Sequence, residues 1–488
     1  MAKPQPVIPF GEWTPDTSVL QGSVDIKGVL SKAGRYVPLP QFTDMGNTAL
    51  VDDCIGGIGV YSTTGTAYGF LGDRGRLYRM SGGNPADVSK AGGYSADRDW
   101  VWSFEQFGDN IVAVARGVAP QVYQLGSSSA FANLANAPMG DCVFRVRQHL
   151  FICSGRTVNV SGFNDSTAWD PDPATQAFQN TINQAAGMIQ CGWGGEQGAI
   201  FQERGIVRLT YQGGTAPFIF DEVEGGRGAA SPYAVAPYAG QAFVAAEDGF
   251  YSFNSLQSTP LGLNKVDQWF TDRLNYPYRS RIWSAVDVPR KTWMVAFPGN
   301  GATRCNTVLF YNWADQRWTW DEFDTQFGFS LPKPGISADD EAAIIAAVGT
   351  SNADEINVSV DAAVWRESHR QWAVVDGSRQ IGQFTGLPRA AVLETGTFEP
   401  NPGRKTYVSA VYPVIDAAPE AMTGTVNARL SRIDQEPAEF DQALTNEEGF
   451  AEVRAEGRYL SARFDVAAGM PWTEANGVIV NPSEGGAR

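Results

Sequence analysis

The sequence predicts an all-β protein, a β-propeller of six to eight blades followed by a small C-terminal antiparallel β module. The first observation is the composition. With 43% hydrophobic residues, 18% charged residues and 53 glycines in 488 residues, it supplies a core and many turns but few surface helices. The second is a hairpin pattern that recurs about seven times, with starts near residues 67, 111, 150, 199, 242, 293 and 372. Five of the six intervals lie between 39 and 51 residues, which is typical of one four-stranded blade per repeat.

Each hairpin consists of an apolar run, a short polar turn that usually contains glycine, and a second apolar run. The clearest copies are residues 199–209 and 242–253, where glycine provides the positive φ of a tight turn. We interpret them as inner hairpins of blades, because continuous apolar runs indicate strands that are buried on both faces. A two-sheet β-sandwich array is the structural alternative. The longest interval could contain a further unit at residues 342–348 and 356–360, so the predicted blade number stays at six to eight.

Composition also predicts the domain boundaries. Residues 1–45 form an extended, proline-interrupted N-terminal arm. Residues 46–386 form the propeller, with a long loop insertion at 161–190. Residues 387–488 form a separate small β module, with a disordered tail from residue 481.

The insertion contains the candidate interaction residues Trp169, Asp170 and Asp172, because long ordered loops often carry binding contacts. Together with Asp165, the two aspartates give a carboxylate density that can hold Ca²⁺. The intervening prolines and the absence of an EF-hand register favour a solvated loop instead. We therefore predict no metal and no cofactor.

Charge, cysteines and hydropathy limit the partners and the compartment. The net charge of −16 gives no basic footprint for tight DNA binding. An acidic lining along which DNA slides is one interpretation of this charge, and simple solubility is the other. The five cysteines include no C-x-x-C pair, which is typical of reduced residues in a cytosol-like compartment. Neither a signal-peptide pattern nor an apolar run long enough for a membrane segment is found.

Motifs for catalysis are missing, so we predict a protein that is not an enzyme. The sequence has no Gly-x-Ser-x-Gly elbow and no phosphate loop, and its two histidines, His149 and His369, lack partners at metal-ligand spacing. A carboxylate pair for glycoside hydrolysis need not be close in sequence, so the sequence leaves this possibility open.

Several segments of the chain also resemble a known family. They are residues 8–16, 200–209, 248–251, 260–262, 265–270, 457–460 and 472–477. In these segments the chain resembles the tail nozzle, or packaged-DNA stabilisation (tail hub), proteins of short-tailed bacteriophages.

The resemblance implies a structural virion protein that assembles in the host cytoplasm. Its propeller subunits, six to a homo-oligomeric ring, would lie below the head-to-tail adaptor, also called the connector. The ring would extend the DNA channel, help to retain and then conduct the genome without binding it specifically, and dock tail fibre, spike or needle proteins. It implies no catalytic residue. The alternatives are a propeller adaptor that binds a peptide partner and a tail-associated enzyme that degrades glycan.

Overall fold

The computed structural model describes residues 7–17, 23–45, 48–80, 84–97, 99–332, 370–419, 421–431 and 439–484. These residues form β-strands, one α-helix and one short 3₁₀-helix. The all-β prediction is confirmed. The hypothetical extra unit at 342–348 and 356–360 lies outside the described residues.

The elements are numbered in chain order. Those before the propeller are β1 (Val7–Pro9), β2 (Asp25–Lys27), β3 (Val29–Lys32), β4 (Arg35–Pro38) and β5 (Pro40–Asp44). The first three blades contain β6 (Gly56–Tyr61), β7 (Ala67–Gly72), β8 (Leu77–Met80), β9 (Ala86–Asp87), β10 (Trp102–Phe107), β11 (Asn110–Ala115), β12 (Gln121–Gln124), β13 (Ala132–Asn133), β14 (Cys142–Val146), β15 (His149–Ser154), β16 (Thr157–Val160) and β17 (Phe178–Thr181). The next two contain β18 (Ile189–Trp193), β19 (Gly198–Gln202), β20 (Gly205–Tyr211), β21 (Phe218–Gly225), β22 (Val235–Tyr238), β23 (Gln241–Ala246), β24 (Gly249–Phe253) and β25 (Ser258–Pro260).

Helix α1 (Asp267–Arg273) and the 3₁₀-helix (Tyr276–Arg281) follow the fifth blade. The remaining strands are β26 (Trp283–Asp287), β27 (Thr292–Phe297), β28 (Cys305–Asn312), β29 (Arg317–Pro332), β30 (Arg370–Asp376), β31 (Ile381–Pro388), β32 (Ala391–Glu394), β33 (Thr406–Ile415), β34 (Met422–Arg429), β35 (Glu439–Leu444), β36 (Ala451–Gly457), β37 (Tyr459–Val466) and β38 (Ala475–Glu484).

The chain folds as a β-propeller, and its described strands form seven blades. Five are complete four-stranded antiparallel sheets, from β6–β9 to β22–β25. The sixth consists of β26, β27, β28 and the first half of β29. The seventh consists of the second half of β29 with β30, β31 and β5.

The seven predicted hairpins are the second and third strands of the seven blades. The prediction that these hairpins are the innermost strands of their blades is wrong. In each blade, one additional strand precedes the hairpin and lies nearer the axis. These innermost strands are β6, β10, β14, β18, β22, β26 and the second half of β29, and each contacts the next around a closed ring.

The N-terminal arm is not simply extended, because it contributes strands to two parts of the molecule. Strand β5 pairs with β31, placing Phe42 opposite Phe384, and so forms the outer strand of blade seven. The ring is therefore closed by a strand from the start of the chain.

The predicted insertion at 161–190 is shorter than expected. Residues 178–181 are the outer strand of blade three, and Ile189 begins the inner strand of blade four. Only the connection before β17 is an additional loop. Isolated bridges pair Gly162 with Asp165 and Asp172 with Ala177 within it.

The C-terminal module contains two sheets that share one core. One has the order β3-β4-β38-β33-β36, with β1 on β38, and the other contains β2, β32, β37, β34 and β35. Apolar side chains from both sheets, among them Val408, Val426, Val453 and Phe464, lie in the same cluster. The predicted disordered tail is wrong for residues 481–484, which belong to β38.

The module is also less separate than expected. Strand β2 pairs with β32 on one side and with β29 on the other, where Lys27 lies opposite Trp320. A continuous sheet therefore runs from blade six into the module.

We call the contact between the arm, α1 and the module the seam. Trp13 has its ring centroid 5.1 Å from that of Trp269, in an edge-to-face arrangement, and is 2% exposed. Lys265 Nζ lies 2.6 Å from Glu12 Oε1. The Asp16 carboxylate accepts the Gln268 and Trp269 N–H groups at 2.8 and 2.7 Å. Asp16 thus caps the start of α1, satisfying amides that the helix itself cannot pair.

Candidate functional site

The structure places Trp169 in the protein interior. Its side chain is 7% exposed and packs in a cluster that includes Val112 and Leu150. The indole N–H donates to the Ser166 carbonyl at 2.8 Å. Trp169 therefore anchors its loop between blades two and three, and the expectation of an exposed interaction residue is wrong.

Asp165, Asp170 and Asp172 of the same loop are exposed. Asp172 Oδ1 accepts the Ala174 N–H at 2.9 Å, and Asp165 Oδ1 accepts the Thr167 N–H at 2.8 Å, so both carboxylates shape local turns. No group of three or more His, Cys, Asp or Glu side chains suited to a metal ion is found in the described ranges. That Asp170 and Asp172 contact a partner therefore remains a prediction.

The remaining sequence markers also lie in the core or outside the described residues. His149 is buried, with Nδ1 2.8 Å from the Ser161 carbonyl oxygen, and burial lowers its pKa. His369 lies outside the described residues. All five cysteines are free and buried. Among the described helices, none has the length and apolar character needed to cross a membrane.

The main candidate site is a cavity of about 410 Å³ at one end of the propeller axis. We call it the mouth. Its walls are the segments that enter the inner strands of blades one, two, five, six and seven, together with the turns between the second and third strands of blades one, six and seven. Connections of this kind converge on one face because all the inner strands run in the same direction.

Asp53 organises one wall of the mouth. Its carboxylate accepts from Arg304 Nη2 at 3.0 Å, from Arg379 Nε at 3.1 Å and from Gln326 Nε2 at 3.2 Å. The Gln326 Oε1 in turn accepts the Cys54 N–H at 2.9 Å. One carboxylate therefore fixes two guanidinium groups, and these hydrogen bonds are the stronger, charge-assisted kind.

Two further arginines line the mouth with looser pairing. Arg74 Nη1 lies 4.0 Å from the nearest Asp52 oxygen, and Arg281 Nη2 lies 3.9 Å from the nearest Asp99 oxygen. Both distances exceed hydrogen-bond length. Arg281 Nη1 donates instead to the Thr303 carbonyl at 2.5 Å. Within the described part of the chain, the buried Nε atom of Arg74 has no hydrogen-bond partner.

Tyr233 lies between the mouth and a second cavity of about 480 Å³ further along the axis, and it lines both. Its hydroxyl donates to the Trp102 carbonyl at 2.6 Å, and its ring meets Phe327 edge-to-face at 4.6 Å. Burial raises the pKa of Tyr233, which keeps the hydroxyl neutral. The hydroxyl hydrogen bond and the ring contact hold Tyr233 between the two cavities.

A third cavity, of about 420 Å³, lies at the seam and brings two carboxylates together. Asp25 and Glu394 are cross-strand partners, and burial raises the pKa of both. Asp25 accepts the Trp320 indole N–H at 2.8 Å, and Glu394 accepts the Ser461 hydroxyl at 2.7 Å. Each carboxylate therefore has a hydrogen-bond donor within the fold.

Sequence comparison identifies no relative, since no family model and no curated protein matches the chain. Similar solved structures include BBS1N in complex with ARL6DN, at 10% identity and a TM-score of 0.41 over 71% of this chain and 96% of that one. BamB from Moraxella catarrhalis is 9% identical, with a TM-score of 0.36 over 73% and 92%. YCF48 bound to D1 peptide is 10% identical, with a TM-score of 0.35 over 58% and 86%. The blade number and the ring closure are taken from the strand pairing of this chain.

Proposed function

We propose that the chain is a structural subunit of a short-tailed phage virion, a tail nozzle or hub protein that forms a ring, six subunits in the simplest case. The ring would lie below the head-to-tail adaptor and extend the DNA channel. It would help to retain and conduct the genome and would dock a fibre, spike or needle.

The observation that carries the proposal is that five of the seven family-like segments meet in one region. Residues 8–16 meet residues 265–270 through the Trp13–Trp269 contact and the Asp16 cap, and they meet residues 472–477 through the pairing of Pro9 with Gly477. Residues 248–251 and 260–262 join the same region, because Gly249 and Gly262 pack against the Asp267 carboxylate. Segments far apart in sequence thus build one seam, which fixes the module on the propeller.

A ring needs a contact surface, and the module offers one on β35. Phe440 and Leu444 are 65% and 67% exposed and lie four residues apart on one face of the strand. Exposed apolar side chains grouped in this way are typical of protein contacts. We assign the contact to a second copy of the chain.

Native mass spectrometry and electron microscopy, on the chain alone and with the adaptor ring of its virion, test the proposal. We expect a closed ring that binds the adaptor, and we expect Phe440→Ser with Leu444→Ser to abolish it without unfolding the subunit. The control is Leu256→Ser with Leu263→Ser, two leucines that are 69% and 60% exposed outside the module. A chain that stays monomeric with and without the adaptor would refute the proposal. If only the control variant fails to form a ring, the interface lies on the propeller and not on the module.

A further inference from the structure

We propose that the mouth of the propeller binds an acidic peptide segment, with Arg74 and Arg281 receiving its carboxylates. This inference goes beyond the structural role and does not depend on ring formation, because every residue involved belongs to one chain.

The first argument is the pairing state of the arginines. Arg304 and Arg379 already share Asp53 at hydrogen-bond distance, whereas Arg74 and Arg281 have carboxylates only at 4.0 and 3.9 Å. Arg281 uses Nη1 to donate to the Thr303 carbonyl, so its Nη2 is the nitrogen assigned to the ligand. A guanidinium group has five N–H donors in a fork that fits a carboxylate. The side chains of Arg74 and Arg281 are 37% and 32% exposed, so a ligand can reach them while their stems stay packed.

The second argument is the composition of the lining. Apolar groups of Ile55, Val101, Ile282 and Phe327 share the cavity with the charged side chains. A mostly preformed cavity with a few convergent polar groups is the usual form of a ligand site. A peptide provides carboxylates for the arginines and aliphatic groups for the apolar wall.

The third argument selects the class of anion. Asp52, Asp53 and Asp99 also line the mouth, so the field of its four arginines is largely compensated. Two carboxylates that are spread along a peptide suit this environment better than a phosphate dianion, which concentrates the same charge at one point beside three carboxylates. The chain as a whole carries −16, which disfavours nucleic acid as the ligand. Glutamates at alternate positions of an extended peptide lie on the same side, about 7 Å apart, and Arg74 and Arg281 line the same cavity.

The test is isothermal titration calorimetry of the full chain at low salt. The probes are the capped peptide Ala-Glu-Ala-Glu-Ala-Tyr, its analogue with Gln in place of Glu, and inorganic phosphate. We expect the Glu peptide to bind, the Gln peptide to bind at least tenfold more weakly, and phosphate to bind more weakly than the Glu peptide. Arg74→Gln and Arg281→Gln should each weaken binding of the Glu peptide roughly tenfold, the scale of one lost charge-assisted hydrogen bond.

Two further variants make the result unambiguous. Arg208→Gln is the matched control, because Arg208 pairs with Asp221 at 2.9 Å away from the mouth, and it should bind the peptide like the wild type. Asp99→Asn should tighten binding, because it removes the only carboxylate near Arg281 Nη2 in the described structure; Asp99 is 82% exposed, so the fold should tolerate the change. Equal affinity for the Glu and Gln peptides would overturn the proposal, as would wild-type affinity in both arginine variants. Tighter binding of phosphate would replace it with a small-anion site.

Discussion

Closure of the propeller by the N-terminal strand can be tested at Gly382. A Cβ atom at this position would lie 2.3 Å from the Thr43 carbonyl oxygen and 2.5 Å from the Phe42 ring. An ordinary contact is about 3.4 Å or longer, so Gly382→Ala requires β5 to move outward by about 1 Å. The Met45 N–H to Ile381 carbonyl hydrogen bond, now 3.0 Å, would be broken by that shift.

The magnitude follows from the kind of contact. Overpacking a well-packed site costs about 1–3 kcal/mol. If β5 can open separately from the rest of the ring, this free energy corresponds to a roughly 5- to 150-fold increase in its opening equilibrium. The change should be confined to blade seven and its neighbours, because β5 is an outer strand.

Hydrogen exchange followed by mass spectrometry over residues 40–45 measures this opening directly. Gly225→Ala is the control, because Gly225 also lies in an outer strand, β21, and its added Cβ would meet only Glu222 Oε1 at 3.9 Å. We expect the control to exchange like the wild type throughout. Unchanged exchange of residues 40–45 in Gly382→Ala would show that β5 does not close the ring in solution.

Predictions at three other positions follow from the structure. Burial raises the pKa of Asp267 from 3.8 to about 6, so the native state binds this proton more tightly than the unfolded chain, and the contribution of the group to stability falls as pH rises between these values. Asp267→Asn keeps the oxygen that accepts the Phe250 N–H. In urea unfolding across this pH range, the variant should be more stable than the wild type at pH 7 but not below pH 3.8. Trp169→Ala should lower the free energy of unfolding by about 3–5 kcal/mol because the side chain is buried, and a change below about 0.5 kcal/mol in equilibrium unfolding would contradict the core position. Asp16→Ala should cost about 1–2 kcal/mol through loss of the cap on α1, whereas Asp16→Asn should cost less, and equal losses in urea titrations of the two variants would exclude capping as the cause.

The sequence predicts the repeats well and their connections poorly. The hairpin at residues 199–209 is visible because two buried strands and a turn lie next to each other in the chain. The pairing of β5 with β31 is not visible, because residues 40–44 contain three polar side chains and a proline and give no indication of a partner some 340 positions later. The sequence therefore leaves the blade number open, and the pairing of the described strands gives seven.

For the candidate sites, too, the sequence does not show which side chains the fold brings together. Trp169 stands among polar residues, Asp170-Pro171-Asp172 on one side and Ser166-Thr167 on the other, so local composition indicates a solvated loop although the indole points into the core. The mouth leaves no local signal at all, because Arg74 and Arg281 come from different blades. Arg74 lies in the turn between β7 and β8, and Arg281 lies just before β26. These two positions come together in one cavity only when the ring is closed.

The seam and the ring closure depend on one another through the arm. Strand β1 pairs with β38, β2 pairs with β32, and β5 pairs with β31, so the first 45 residues reach their final places only after almost the whole chain is available. Contacts at such separations form late, because loop-closure entropy must be overcome before they contribute. A chain whose arm has not docked lacks the outer strand of blade seven and also β1–β4 of the module. Docking of the arm therefore completes blade seven and the C-terminal module together.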